Sequence, residues 1–143
     1  MRSLKHFGEY LKLGVVKKQT PDKLRAEDLI SESDRKLNSL NRTLKDTGLD
    51  NENANDIIEY CYDIIINLVR AEMLLKGLNS SGVGAHEAEV SYLREIGFSE
   101  NEARFANQLR YFRNGMKYYG KRFDKEYAEK VISFMKQARK RLK

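Results

Sequence analysis

The spacing of apolar residues is the feature that most restricts the fold of this chain. Along most of its length they recur at three- and four-residue intervals, as on one side of an α-helix, and do not alternate as in a half-buried strand. Proline, which interrupts helices, occurs once, at Pro21, while Leu, Ala, Lys, Glu and Arg are abundant. The sequence therefore predicts an all-α protein.

The length of the chain, 143 residues, suits one domain with a hydrophobic core. Residues 1–20 are predicted to form an N-terminal arm or a short helix, and residues 21–143 the helical domain. Thr20 and Pro21 predict the cap and the first residue of a long helix that ends near Gly48. The predicted core face of this helix consists of Ala26, Ile30, Ser33, Leu37, Leu40 and Leu44.

A second long helix is predicted from Asn53, a good capping residue, to Gly77. Its apolar stripe is wider than contact with one neighbouring helix requires, which favours a central position in the fold; part of the stripe could instead face a second subunit. The stripe is formed by Ile57, Ile58, Cys61, Ile64, Ile65, Leu68, Val69 and Leu75.

Three further elements are predicted in the second half of the chain. A Gly/Ser-rich loop, LNSSGVGAH, precedes a short helix, AEVSYLREIG, that ends at Gly97. Ser99 and Glu102 form a capping-box pattern at the start of the next long helix. A last helix is predicted to start at Asp124, with one apolar side made by Ala128, Val131, Met135, Ala138 and Leu142.

Several classes of protein are excluded by what the sequence lacks. No apolar run approaches the roughly 20 residues that cross a bilayer, and the first residues lack the apolar core of a secretion signal, so we expect a soluble, cytoplasmic protein without membrane contact. The single cysteine, Cys61, cannot form an internal disulfide or a cysteine-based zinc site, and we expect it to be a buried structural thiol. No nucleotide-binding loop, paired-carboxylate site or metal-ligand cluster is recognisable, and no cofactor is expected.

Positive charge is concentrated in the last quarter of the chain. Residues 110–143 contain twelve Lys or Arg against three Asp or Glu, whereas residues 1–109 contain fifteen against eighteen. A basic segment of this kind commonly binds phosphates in nucleic acid or nucleotides, or an acidic partner. The alternative is a solvated, lysine-rich helix face.

The most informative segment is RYFRNGMKYYG, residues 110–120. At 100° per residue, one side of this helix is a core stripe of Phe105, Leu109, Phe112, Met116 and Tyr119. The adjoining sector combines four cations, an amide and a phenol, suited to binding phosphates and stacking on a base. We call it the basic strip: Arg110, Arg113, Asn114, Lys117, Tyr118 and Lys121. Gly115, costly inside a helix, predicts close approach of a ligand or another backbone.

The chain resembles the HEPN superfamily of small helical proteins. The resemblance is carried, in the family's usual order, by LKLGVVKKQTPDKLRAEDLISESDRKLNSL, EYCYDIIINLVRAEMLLKGLNSSGVGAHEAEVSYL and NQLRYFRNGMKYYGK. In the family's motif an Arg is followed by a polar residue, often Asn, and then by a His four to six residues further on. Arg113 and Asn114 match the first two positions, and Tyr118 stands where the histidine would be.

The resemblance implies an antiparallel up-and-down bundle of four main helices plus one short helix. It also implies a homodimer with a shared cleft between the motif helices, and a partner enzyme, a minimal nucleotidyltransferase, in a toxin–antitoxin-like system. Many members of the family are metal-independent endoribonucleases. Tyrosine is a poorer proton acceptor near neutral pH than histidine, so the departure at Tyr118 weighs against this activity.

We therefore expect a protein that binds RNA or a nucleotide through the basic strip and does not act as an enzyme. One alternative is a metal-independent endoribonuclease with Arg113, Asn114 and Tyr118 as catalytic residues, in which Arg113 stabilises the transition state. Another is a helical protein–protein interaction module that does not bind nucleic acid. For His86, which follows the Gly/Ser-rich loop, we expect a structural role, capping the short helix or bridging the loop to the helical domain.

Overall fold

A computed structural model describes residues 3–142. This part of the chain is mostly helical, which confirms the predicted all-α character, and it adds one small antiparallel ladder that the sequence did not predict. The elements, in chain order, are α1 (Phe7–Lys12), β1 (Val16–Lys18), α2 (Lys23–Asp46), α3 (Ala54–Leu75), β2 (Leu78–Ser80), α4 (Ala85–Glu95), α5 (Glu100–Tyr119) and α6 (Lys125–Leu142).

The central element is α3. It contacts α2, α4, α5, α6 and β2, and its predicted stripe is buried except for Leu75, which is exposed at the last residue of the helix. The width of the stripe is thus accounted for within one chain. Asn53 precedes α3 as predicted, but its side chain does not cap the helix. Its amide oxygen instead accepts from the N–H of Asp50, and its amide nitrogen donates to the main-chain oxygen of Gly48 in the preceding turn.

The helices α2 and α3 pack antiparallel. The hydroxyl of Ser33, the polar residue in the predicted stripe of α2, donates to the main-chain oxygen of Ile64 at 2.9 Å, and the main-chain N–H of Asp22 donates to the oxygen of Leu74 at 3.1 Å. The buried Ser33 hydroxyl therefore has the partner that burial requires.

The predicted start of α2 was wrong by two residues. Its N-cap is Asp22, whose carboxylate accepts from the N–H of Arg25, and Pro21 lies before the helix. Gln19 explains the difference. Its main-chain N–H donates to the main-chain oxygen of Gly77, and this bond holds the residues before α2 in an extended conformation. Gly77 has a φ of +72°, and a Cβ on it would overlap the main-chain oxygen of Gln19, so only glycine fits there.

The helices α5 and α6 also run antiparallel. The predicted capping box of Ser99 and Glu102 is present, and Arg141 near the end of α6 binds the Glu102 carboxylate at 2.7 Å. At the other end of the pair, Phe112 contacts Phe123 with 4.7 Å between ring centroids. The start of α6 after Asp124 is confirmed, and four of the five predicted apolar residues are buried, namely Ala128, Val131, Met135 and Ala138.

The N-terminal segment contains the short helix that was one of the alternatives predicted for it, α1, and continues into β1, which the sequence did not predict. Phe7, Tyr10 and Val16 are buried in the same core as α3. The strand β1 pairs antiparallel with β2, with Val16 opposite Ser80 and Lys18 opposite Leu78. The ladder therefore attaches the N-terminal segment to residues that the sequence analysis placed in a loop.

The short helix α4 begins three residues earlier and ends two residues earlier than predicted. Gly84, with a φ of +89°, is its N-cap, so His86 lies in its first turn. The shift matters for the site, because it places His86 and Glu89 on one helix, three residues apart.

Candidate functional site

Arg113 lies at the inner edge of the basic strip, next to α3. Its Nη2 atom is 3.5 Å from Oδ1 of Asp63, and its guanidinium is 5.6 Å from the ring centroid of Tyr62. The other oxygen of Asp63 accepts from Lys36 of α2 at 2.8 Å. One carboxylate thus contacts cations of α2 and α5, and these contacts restrict the orientation of Arg113.

The rest of the basic strip lies further out. Asn114, Lys117, Tyr118 and Lys121 are exposed, and Nζ of Lys117 is 5.5 Å from the ring centroid of Tyr118. Arg110 is half-buried, and its Nε donates to Oδ1 of Asn107 at 2.9 Å. The structure therefore places the six residues along one side of the C-terminal half of α5 and the turn after it, with the two arginines inside and the others in solvent.

Tyr119 is not the core residue that the sequence predicted. Its side chain is 84% exposed. The helix ends at this residue with Gly120 in the left-handed conformation, and Phe123, just beyond the turn, packs against Phe112 and Tyr127 where the stripe would have continued. Together with Tyr111 and Tyr118, Tyr119 makes three exposed tyrosines in the C-terminal half of α5.

The space over Gly115 is occupied by the chain itself. A Cβ on Gly115 would lie 3.6 Å from Cγ of Lys121, an ordinary contact, and the Gly115 oxygen accepts from the N–H groups of Gly120 and Lys121. Within residues 3–142, no other backbone approaches Gly115 closely; the side where a Cβ would point faces the aliphatic stem of Lys121 at an ordinary contact distance.

We expect Gly115→Ala to stabilise the protein by about 0.5–1 kcal/mol, because alanine restricts the unfolded chain and favours the helix. The midpoint of thermal unfolding should rise by about 2–3 °C. Gly77→Ala is the matched control and should lower the midpoint, since its Cβ would overlap Gln19. A lower midpoint for Gly115→Ala would contradict this account.

Tyr62 connects the basic strip with a second polar cluster. Its hydroxyl is buried and has no hydrogen-bond partner among residues 3–142. Burial raises the pKa of this hydroxyl, and so does the negative charge of Glu89, while the cations Arg110, Arg113 and Arg70 oppose the shift. Tyr62 is therefore protonated near neutral pH. Its hydroxyl lies among charged groups of the basic strip, Arg110 and Arg113, and of the second cluster, Arg70 and Glu89.

The second cluster centres on Glu89 of α4. This carboxylate, 4% exposed, accepts from Nε of Arg70 at 2.6 Å and from the hydroxyl of Ser80 at 2.9 Å, and its Oε1 is 3.2 Å from Nδ1 of His86. Burial alone would raise the pKa of Glu89, but the bonds from His86, Arg70 and Ser80 outweigh it and lower the pKa. Glu89 is thus a buried carboxylate in its ionised form.

The sequence analysis missed this cluster as a site. His86 lies in the first turn of α4 and not in the loop, and it does not cap this helix; its Nδ1 atom also lies 3.2 Å from Nη2 of Arg70, so the ring connects α4 with α3. The cluster borders a cavity of about 200 Å³ between α2, α3, β2 and α4. The available signal was the spacing of His86 and Glu89 once both are placed on one helix.

No family model, curated protein or solved structure matches the chain. The function is therefore inferred from the arrangement of the side chains. Within residues 3–142, no group of His, Cys, Asp and Glu is suited to hold a metal ion, and no helix is long and apolar enough to cross a membrane.

Cys61 is the buried structural thiol that the sequence predicted. It lies in the core stripe of α3 and is fully buried. Burial raises the pKa of the thiol to about 12, with a small opposing effect from Lys136. Because the thiolate is the reactive form, Cys61 is not a nucleophile near neutral pH.

Proposed function

We propose that the protein is a HEPN-type helical protein that binds RNA or a nucleotide through the basic strip of α5. The observation that carries this proposal is the combination of the strip with Tyr111, Tyr118 and Tyr119, three exposed tyrosines in the C-terminal half of the same helix. Large apolar side chains are usually buried, so a cluster of exposed rings among cations suggests a surface for ligands. Cations hold phosphates and rings stack on bases, the two contacts that bind single-stranded nucleic acid.

Arg113 supplies the fixed part of this surface. Its contacts with Asp63 and Tyr62 limit the rotamers of a long side chain, so less conformational entropy is lost when it binds a phosphate. Asp63 also offsets the charge of Lys36, which leaves one net positive charge on the three side chains. Lys117 and Lys121 add mobile charges on the outer side.

The proposal includes the bundle and assembly that the family resemblance implies. The antiparallel pairs α2–α3 and α5–α6 support an up-and-down bundle with α4 as the short extra helix. In the proposed homodimer, the strips of two subunits face a common cleft, and a minimal nucleotidyltransferase is the partner enzyme. Analytical ultracentrifugation of the purified protein tests the dimer.

Binding to RNA is tested with a fluorescein-labelled single-stranded RNA of ten nucleotides, by fluorescence anisotropy over a range of salt concentrations. Lys117→Ala and Arg113→Ala should each lower the affinity about five- to tenfold and reduce the salt slope by about one. Tyr118→Ala should lower the affinity about tenfold without changing the slope, because it removes stacking and no charge.

Lys136→Ala is the matched control. Lys136 is exposed on α6, and its charge acts on Cys61 of α3. Cys61 lies about 200° around α3 from Asp63, the residue that contacts Arg113, so Lys136 is on the side away from the basic strip. This substitution should therefore change the affinity less than twofold. Affinity that is independent of salt and equal in all four variants would rule out binding through the basic strip, and would favour the alternative of a protein–protein interaction module.

A further inference from the structure

The cavity between α2, α3, β2 and α4 has a lining that is partly apolar and partly basic. Its volume is about 200 Å³. The apolar part includes Leu29 and the buried side chains of Met73 and Leu74. The basic part consists of two guanidinium groups, from Arg25 of α2 and Arg70 of α3. Apolar surface with a few charged groups that converge on it is the usual composition of a small-molecule site.

The carboxylate of Glu89 compensates only one of the two guanidinium groups. It accepts from Nε of Arg70 at 2.6 Å. Within residues 3–142, Arg25 has no ion pair, and its guanidinium donates to the side-chain oxygen of Asn79 on β2 at 3.5 Å. When His86 is neutral, two positive charges therefore stand against one negative charge in the lining, and one positive charge remains for a ligand.

Both arginines keep N–H groups for a further partner. A guanidinium has five N–H donors. Arg70 uses Nε for Glu89 and Nη2 for Nδ1 of His86, and within residues 3–142 its Nη1 atom has no hydrogen-bond partner. Arg25 uses only Nη1, for Asn79. The planar arrangement of these donors matches the two oxygens of a carboxylate.

The charge and the volume of the cavity indicate the class of ligand. A single remaining positive charge suits an anion with one negative charge, such as a carboxylate, better than a phosphate monoester with nearly two. The volume of about 200 Å³ is below the roughly 300–1,000 Å³ of sites for drug-sized molecules, so the ligand is small. The apolar part of the lining favours a hydrocarbon chain over a polar one.

We propose that this cavity binds a small organic carboxylate with a short aliphatic chain. Arg25 and Arg70 hold the carboxylate, and the chain lies against Leu29, Met73 and Leu74. Among the described residues, none that lines the cavity belongs to α5, so the site is separate from the basic strip. The proposal therefore does not depend on the binding of RNA.

The test titrates sodium hexanoate into the nitrogen-15-labelled protein at constant ionic strength and follows the amide signals by two-dimensional NMR. We expect saturable shifts centred on β2 and the facing turns of α2 and α3, with a Kd on the order of 1 mM for a ligand of this size. Pentanoate, with one methylene fewer, should bind about fourfold more weakly. Hexanol, which has the chain without the charge, should bind at least about tenfold more weakly.

Replacing Arg25 with glutamine should weaken the binding of hexanoate about tenfold, because one of the two guanidinium groups is lost. Arg42→Gln is the matched control, since Arg42 is also exposed on α2 but lies about 25 Å further along the helix axis. This variant should bind hexanoate within about twofold of the wild type. Because Arg25 is exposed, Arg25→Gln should unfold at the wild-type temperature.

Several results would overturn the assignment. Shifts that grow without saturation, or that scatter over the whole surface, would show that the cavity does not bind the carboxylate. Equal affinities for hexanol and hexanoate, or equal losses for Arg25→Gln and Arg42→Gln, would exclude the arginines as the groups that hold it. Tighter saturable binding of inorganic phosphate than of hexanoate would overturn the assignment in favour of a phosphate ligand.

Discussion

Replacing Ile64 with alanine should lower the free energy of unfolding by about 3–5 kcal/mol. Ile64 is fully buried in the centre of α3, between helices that enclose it from several sides. The substitution removes three buried carbons from the hydrophobic core and leaves a cavity. Closely packed helices fill such a cavity only partly. An effect of this size is a large fraction of the stability of a typical domain.

The measurement is urea unfolding followed by circular dichroism. Leu24→Ala is the matched control, because Leu24 is also a large apolar residue in a helix but is 76% exposed. It should change the free energy of unfolding by less than about 0.5 kcal/mol. Equal losses for Ile64→Ala and Leu24→Ala would contradict the central position of α3.

Replacing Glu89 with glutamine should lower the free energy of unfolding by about 2–3 kcal/mol at pH 7. The substitution leaves the guanidinium of Arg70 without its counter-charge; breaking a fully buried pair costs about 3–5 kcal/mol. The lower figure applies because the Arg70 side chain is 31% exposed and water replaces part of the lost interaction. Glu95→Gln, an exposed change on the same helix, is the control and should have no measurable effect.

The effect of Glu89→Gln should also depend on pH. The folded protein lowers the pKa of Glu89 below its usual value of 4.5, so the ionised carboxylate stabilises the fold fully above about pH 4.5. This stabilisation is lost as the pH falls through the lowered pKa. The difference between the wild type and Glu89→Gln should therefore narrow as the pH is lowered below 4.5 in urea unfolding experiments. A constant difference over that range would show that Glu89 does not stabilise the fold through its charge.

Much of the helical structure follows from local rules in the sequence. The stripe of α3, the capping box at Ser99 and the start of α6 after Asp124 depend on residues within a few positions of one another. The β1–β2 ladder was missed because its strands, VKK and LNS, are too short to show alternation and are separated in sequence by the whole of α2 and α3. Contacts of that separation leave no periodic signal.

The difference between local patterns and contacts distant in sequence also explains which parts of the site the sequence predicted and which it missed. Five of the six residues of the basic strip share a side of α5, which helical geometry predicts directly, whereas Lys121 lies in the turn after the helix. Tyr119 was misplaced because Phe123, beyond the helix end, takes the core position. Arg70 and Glu89 are on different helices, nineteen residues apart in sequence, so only the fold brings them together.

The β1–β2 ladder has a practical consequence for anyone preparing a shorter version of this protein. A fragment that starts at Pro21 would retain all four long helices and look complete by its helical content. It would lack β1, the strand that pairs with Leu78–Ser80. Ser80, whose hydroxyl donates to Glu89, would then lose the support of the ladder. Such a fragment would report a nearly unchanged helical content although the surroundings of the Glu89 cluster had changed, so functional work should keep the N-terminal segment.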